Sequence, residues 1–197
     1  LFGFVQMFVV SNGVETRYIA ANKNGEMNEK FLSRWVDEKN EPVDDYLGFA
    51  KDVLNIPAAH LMIGNYSVID QEKRKLILLR PYQIHAIDKI KEASRKQESG
   101  FVWHTTGSGK TLTSYTVTKN LLDIPAIDKT IFLIDRKDLD QQTSNDFQSY
   151  AENDDVDIED TARTSVLEDK LLNDSRIAIV TTIQKFQNIL RKYTKDQ

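Results

Sequence analysis

Residues 104–111 read His-Thr-Thr-Gly-Ser-Gly-Lys-Thr, and the run Thr106, Gly107, Ser108, Gly109, Lys110, Thr111 has the chemistry of a phosphate cradle. The two glycines let the backbone curl so that successive N–H groups face inward. Lys110 can reach the β- and γ-phosphates of a nucleotide, and Thr111 can place its hydroxyl on Mg2+. A helix starting at Lys110 would aim the positive end of its dipole at the same spot. The full pattern, G-x-x-x-x-G-K-[ST], puts its first glycine at position 104, where His104 stands. A residue with ordinary φ can serve there if the chain leaves the preceding strand differently. Without a ligand, the run would be a Gly/Ser-rich turn between a strand and a helix.

The flanking sequence supplies that context. "GFVWH" is predicted as a strand, with Phe101–Trp103 buried, and "KTLTSYTVTKNLL" as a helix. "KTIFLID" and "RIAIVTT" are predicted strands, each followed by a predicted helix, "RKDLDQQTSNDFQSY" and "IQKFQNILRKY". Strand–helix alternation with β-branched strands means α/β architecture: a parallel sheet covered by helices. The acidic stretch "AENDDVDIEDTART" between them reads as a solvated insertion. Upstream, "FGFVQMFVVS", "NG" and "ETRYIAA" predict two strands joined by a turn. Residues 42–55 carry apolar side chains at 43, 46, 47, 50, 53 and 54, which predicts a helix with Pro42 in its first turn and Asp44 and Asp45 at its positive end. "NYSVIDQEKRKLILLRP" predicts two short strands around a charged turn. The change of rhythm puts a domain boundary near Leu78.

Composition narrows the chemistry further. The 197 residues contain no cysteine, so there is no disulfide framework and no thiolate metal site. His60, His85 and His104 show no ligand spacing. No apolar run approaches the ~18 residues of a membrane helix, and no basic segment precedes an apolar one as in a secretion signal; a cytoplasmic protein with no membrane association is expected. The net charge is −4, but residues 146–175 hold ten acids against two bases, a local −8, which leaves +4 for the rest. A basic face for a polyanion therefore remains open. The first residue is Leu1, at the edge of an apolar run, which predicts a piece of a longer polypeptide.

Helicases and DNA translocases of superfamily 2 commonly lack the first glycine of the loop, and "TTGSGKT" resembles their motif I. The resemblance extends along the chain. "RPYQ" (Arg80–Gln83), with Gln83 twenty-seven residues before Lys110, resembles the adenine-reading Q motif; a glutamine amide donates to and accepts from the adenine edge at once. The same four residues also fit an ordinary helix start with Pro81 near its first position. "IFLIDRKDLDQQ" resembles motif Ia and "IVTTIQKF" resembles motif Ib, which in that superfamily touch DNA-strand phosphates. Arg136, Thr181, Thr182 and Lys185 have suitable groups, although a threonine after a strand also caps helices.

The wording "LRPYQ", "WHTTGSGKTLT", "LIDRKDLDQQ" and "VTTIQK", in this order, is similar to the motor subunit of type I restriction enzymes. "GFVQMFVVSNGVETRYIAAN" resembles the end of that subunit's nuclease domain. The resemblance implies that residues 1–78 are the C-terminal part of a PD-(D/E)xK-type nuclease domain with a connector. It implies that 79–197 are the first part of a RecA-like ATPase lobe. It further implies ATP and Mg2+ as cofactors, with Lys110 the catalytic residue of the loop and Arg80, Gln83 and Thr106–Thr111 the nucleotide contacts. Double-stranded DNA and the methyltransferase and specificity subunits are the implied partners. ATP-driven DNA translocation coupled to cleavage is the implied activity of the intact subunit. The nuclease acids and the motif II acids of the family fall outside the 197 residues, so this segment alone is expected to be inactive. Two other readings share the loop: another superfamily 2 DNA or RNA helicase, and a non-enzymatic module with a relic nucleotide site. Intact Lys110 and Thr111 argue against the relic.

Overall fold

The computed structural model describes residues 4–22, 29–135, 137–152, 154, 158–160 and 164–193, which fall into two compact units, Leu1–Val102 and Trp103–Gln197. In the first unit, β1 (Met7–Ser11) and β2 (Thr16–Ala20) pair antiparallel with Ser11 opposite Thr16. The turn between them is made by Asn12, whose Oδ1 accepts from the Val14 and Glu15 amides, and by Gly13 at φ +89°. The short β3 (Ser33–Arg34) completes an antiparallel sheet of order β1-β2-β3. α1 (Tyr46–Phe49) continues into a π turn, Ala50–Leu54, and α2 (Ile56–Gly64) follows at once. β4 (Ser67–Asp70) and β5 (Lys75–Leu78) form the second predicted hairpin, and α3 spans Pro81–Arg95.

The core of this unit is aromatic. Tyr18, on the buried face of β2, lies 6.4 Å from the Trp35 ring and 6.0 Å from the Phe49 ring. Its hydroxyl donates to the Leu79 carbonyl at 3.1 Å, and burial pushes its pKa up. Trp35 meets His85 edge-on, and the His85 Nε2–H donates to the Val36 carbonyl at 2.9 Å. These bonds tie α3 to the sheet. The helix expected from Pro42 starts later, at Tyr46. Asp45 takes the N-cap position, accepting from the Gly48 amide at 2.8 Å, while Asp44 pairs with Arg34 and Pro42 is bridged to Val36. Local side-chain bonds at Asp44 and Asp45 thus hold residues 42–45 outside the helix.

The second unit is a parallel α/β layer. α4 (Lys110–Leu122) leads to β6 (Lys129–Ile134), α5 (Lys137–Ala151), β7 (Ile158–Asp160), α6 (Thr164–Leu172), β8 (Ile177–Thr182) and α7 (Ile183–Tyr193). The strand order is β6-β8-β7, with both ladders parallel. All six residues of the central β8 are buried, as its unbroken apolar and β-branched sequence requires of a strand covered on both faces. Ile177 and Ile179 pack with Leu167 of α6 and Ile189 of α7. On the opposite face the rings of Phe132, Tyr115, Phe147 and Tyr150 interlock, joining α4 and α5 to β6.

Two expectations are corrected here. Phe101–Trp103 form no strand, and Phe101 and Trp103 are 101% and 97% exposed. A strand needs a ladder partner for its N–H and C=O groups, and among the described residues no strand runs beside them. The acidic stretch is not a solvated insertion throughout: Ile158–Asp160 are β7, paired with Ala178–Val180 of β8. Its main-chain groups complete the ladder of a buried neighbour, which outweighs the polarity of the stretch. Asp154 is also engaged, as described below.

Candidate nucleotide-binding loop

The loop before α4 has the backbone its glycines were expected to provide. Gly107 has φ +76° and Gly109 φ +81° with ψ +41°, the left-handed region. A Cβ at Gly107 would meet nothing within 4 Å, so its requirement is conformational. The Thr105 carbonyl accepts from the Ser108 amide at 3.4 Å, so Thr105–Ser108 make a turn whose third residue needs positive φ, as in type II. The Ser108 hydroxyl donates to the same carbonyl at 2.8 Å and lies 3.0 Å from His104 Nδ1. Among the described residues only Asn40, Arg74 and Gln97 combine a side chain with positive φ, so His104 occupies the missing glycine's position with ordinary backbone.

Gly109 is the N-cap of α4, and no side chain caps that end. The first turn of a helix carries amides with no intrahelical partner, and here they open beside the exposed Thr106 and Lys110 and the half-buried Thr111. The helix is threonine-rich, and its buried hydroxyls are internally satisfied: Thr113 Oγ1 donates to the Gly109 carbonyl at 3.0 Å and Thr116 Oγ1 to the Leu112 carbonyl at 2.9 Å.

The far end of α4 fixes its direction. The Arg176 guanidinium donates to the Leu122 carbonyl and, at 2.6 Å, to the Ile124 carbonyl. Arg176 immediately precedes β8, so the C-terminus of α4 lies at the amino edge of the sheet. The helix packs along β6 and β8 and is about 19 Å long, close to the roughly 20 Å of a six-residue strand. Its N-terminus and the loop therefore reach the carboxyl edge, where parallel α/β sheets bind ligands. Ile134 of β6 pairs with Thr182 of β8 at that same edge.

Residues 82–197 match the SWI2/SNF2 ATPase family. An endonuclease subunit of a type I restriction enzyme from Staphylococcus aureus (strain COL) is 40% identical over 192 residues, 97% of this chain and 20% of that protein. The C-terminal part of such a subunit from Mycoplasma pneumoniae (strain ATCC 29342 / M129 / Subtype 1) is 36% identical over 175 residues, 82% of this chain and 83% of that one. The chain belongs to the endonuclease subunits of type I restriction enzymes. The Escherichia coli subunit of the enzyme EcoprrI is 34% identical over 91 residues, 46% of this chain and 29% of that protein. The chain spans about a fifth of the length of the staphylococcal subunits it matches.

In this endonuclease-subunit chain the remaining expected site residues are placed as follows. Thr181 and Thr182 are fully buried, and Thr182 Oγ1 accepts from the Lys185 amide at 3.4 Å, capping α7. Lys185 is half-buried on the first turn of α7. Arg136 lies outside the described residues. In the first unit, Gln83 is 3% exposed and its Oε1 accepts from the Arg80 amide at 2.9 Å, closing the start of α3 with Pro81 in its first turn. The helix-start reading is therefore realised in the geometry.

Three residues that hold the elements behind the loop in place were not among the candidates. Gln184 Nε2 donates to the Asp135 carbonyl at 3.1 Å, tying the ends of β6 and β8 together. Asp154 accepts from the Tyr115 hydroxyl at 2.5 Å and from Lys119 Nζ at 2.7 Å, fastening the acidic stretch to the middle of α4. Arg176 closes the other end of that helix. Their only sequence signal is a charge or amide next to an element boundary, which many solvated residues share. No helix among the described residues is long and apolar enough to cross a membrane.

Proposed function

We propose that this chain carries the ATP-binding half-lobe of a DNA-translocating restriction subunit. The observation that carries the proposal is the loop Gly107–Thr111: two glycines at positive φ open onto an uncapped helix start at the carboxyl edge of a parallel sheet. Thr106–Gly109 would surround phosphate oxygens with amides, Lys110 would set its charge on the β- and γ-phosphates, and Thr111 would offer its hydroxyl to Mg2+. The donor set fits: the amides of a largely exposed loop, an ammonium and one hydroxyl suit an anion that brings its own metal. Among the described residues no group of three or more His, Asp or Glu could hold a metal by itself. When bound, Mg2+ neutralises charge between the phosphates. We assign Arg80 and Gln83 to the adenine end on the order of the motifs, and Arg136 and Lys185 to the DNA backbone; Thr181 and Thr182, expected as DNA contacts too, are fully buried and instead would shape the turn that presents Lys185.

The second unit, from Trp103, fits the start of a RecA-like lobe in its three parallel strands. The proposed boundary at 78/79 follows the motif order and the family match from residue 82, and so counts α3 with the lobe although α3 is part of the first compact unit. We assign residues 1–78 to the end of the nuclease domain and its connector. Double-stranded DNA and the methyltransferase and specificity subunits are the proposed partners, in the cytoplasm. The test is Lys110→Ala in the intact, assembled enzyme, read by displacement of a third strand ahead of the moving complex. The variant is expected to lose ATP-driven translocation, and with it distant DNA cleavage, because a charge at the γ-phosphate is removed where charge develops. Translocation at wild-type speed would end the motor assignment.

A further inference from the structure

We propose that His104 is a positioning residue of the phosphate loop, whose imidazole N–H holds the Ser108 hydroxyl and thereby keeps the loop curled before a phosphate arrives. The proposal rests on the phosphate-loop reading above and adds a residue that the loop pattern does not contain.

The bond directions follow from valence. The Thr105 carbonyl can only accept, and a serine hydroxyl has one hydrogen. Ser108 Oγ lies 2.8 Å from the Thr105 carbonyl and 3.0 Å from His104 Nδ1. Its hydrogen serves Thr105, so the second contact needs a donor from the ring, and His104 Nδ1 carries a hydrogen. The result is a directed chain, His104 to Ser108 to Thr105, that closes across the Thr106–Gly107 turn. The backbone contact across the same turn, from the Ser108 amide to the Thr105 carbonyl, is 3.4 Å long, too long to hold it firmly. A glycine at position 104 would leave the turn with that contact and the serine alone. Gly107 sits inside the clasp at φ +76°, a shape it would lose readily because glycine has other wells of similar energy. Lys110 follows the clasp by two residues. A loop already curled loses less conformational freedom on binding, and affinity rises accordingly.

The test uses the intact subunit and a fluorescent ATP analogue with Mg2+, titrated to give Kd, beside thermal unfolding without nucleotide. His104→Ala is expected to weaken binding about three- to tenfold, the size of one intramolecular hydrogen bond. Ser108→Ala should weaken it similarly. The double variant should be no weaker than the poorer single one, because both remove the same bond. His104→Asn should restore affinity to within about twofold, since its amide N–H can reach the position of Nδ1. A general packing role for the ring would not be rescued by asparagine and would not be non-additive with Ser108. Additive losses, wild-type affinity in His104→Ala, or an asparagine variant as weak as alanine would each overturn the clasp. If His104→Ala does not fold, His104→Asn alone and in combination with Ser108→Ala carries the same comparison. Lys110→Ala separates the two levels: its failure to weaken binding would remove the phosphate-loop reading and the clasp together. Weakened binding there with wild-type binding in His104→Ala would remove the clasp alone.

Discussion

At Gly107 the demand on the residue is purely one of backbone angle. Nothing stands within 4 Å of a Cβ there, yet φ is +76°. Gly107→Ala is therefore expected to leave the fold and its circular dichroism unchanged. It should weaken nucleotide binding by about 1–2 kcal/mol, the penalty for a side chain in left-handed backbone. Unchanged affinity would mean that the bound loop does not use this angle. The positive φ of Gly107 and Gly109 was legible in the sequence, because small residues spaced this way before a helix demand a curled backbone. His104 was legible only as a departure: its bond to Ser108 exists once the loop has curled, and linear spacing does not carry that information. Gln83 shows a second limit, because one residue type serves both a helix start and an adenine edge, and the sequence pattern is the same for both.

Among the elements, α4 is held at three points: the loop at its start, Arg176 at its end and Asp154 along its side. Asp154→Ala is expected to destabilise the second unit by about 2 kcal/mol, since it removes the acceptor of a fully buried tyrosine hydroxyl and an anionic contact of Lys119. Asp154→Asn should recover part of that by keeping an acceptor for Tyr115; denaturant midpoints make the comparison. Burial, and then the bond to Asp154, push the Tyr115 pKa up. With the folded value raised, the unfolded chain releases this proton first. The associated stability is present below about pH 10 and is lost as pH climbs from there toward the folded value. Tyr115→Phe should flatten the loss of stability between about pH 9 and pH 11, and an unchanged alkaline slope would contradict the assignment. The helices α4 and α7 and the strands β6 and β8 were legible from apolar period and β-branched runs. Phe101–Trp103 was misread because an apolar run cannot tell whether a partner strand lies beside it. β7 was missed for the converse reason: a parallel edge strand contributes backbone, and its acidic sequence hides that.

Across the whole molecule, each unit has its own core, one built on Tyr18, Trp35 and Phe49 and the other on β8. Ile179→Ala, at a fully buried position, should cost about 2–5 kcal/mol and speed hydrogen exchange in β6 and β8 while β1 and β2 keep their protection. Loss of protection in both units would show that they unfold together. The measurement that tests the central claim most directly is hydrogen exchange of the intact subunit with and without Mg-ATP, followed peptide by peptide. Nucleotide bound at the loop predicts slowed exchange in residues 104–113, where the amides meant for phosphate lie. Bound nucleotide that protects other peptides and leaves 104–113 unchanged would contradict the account.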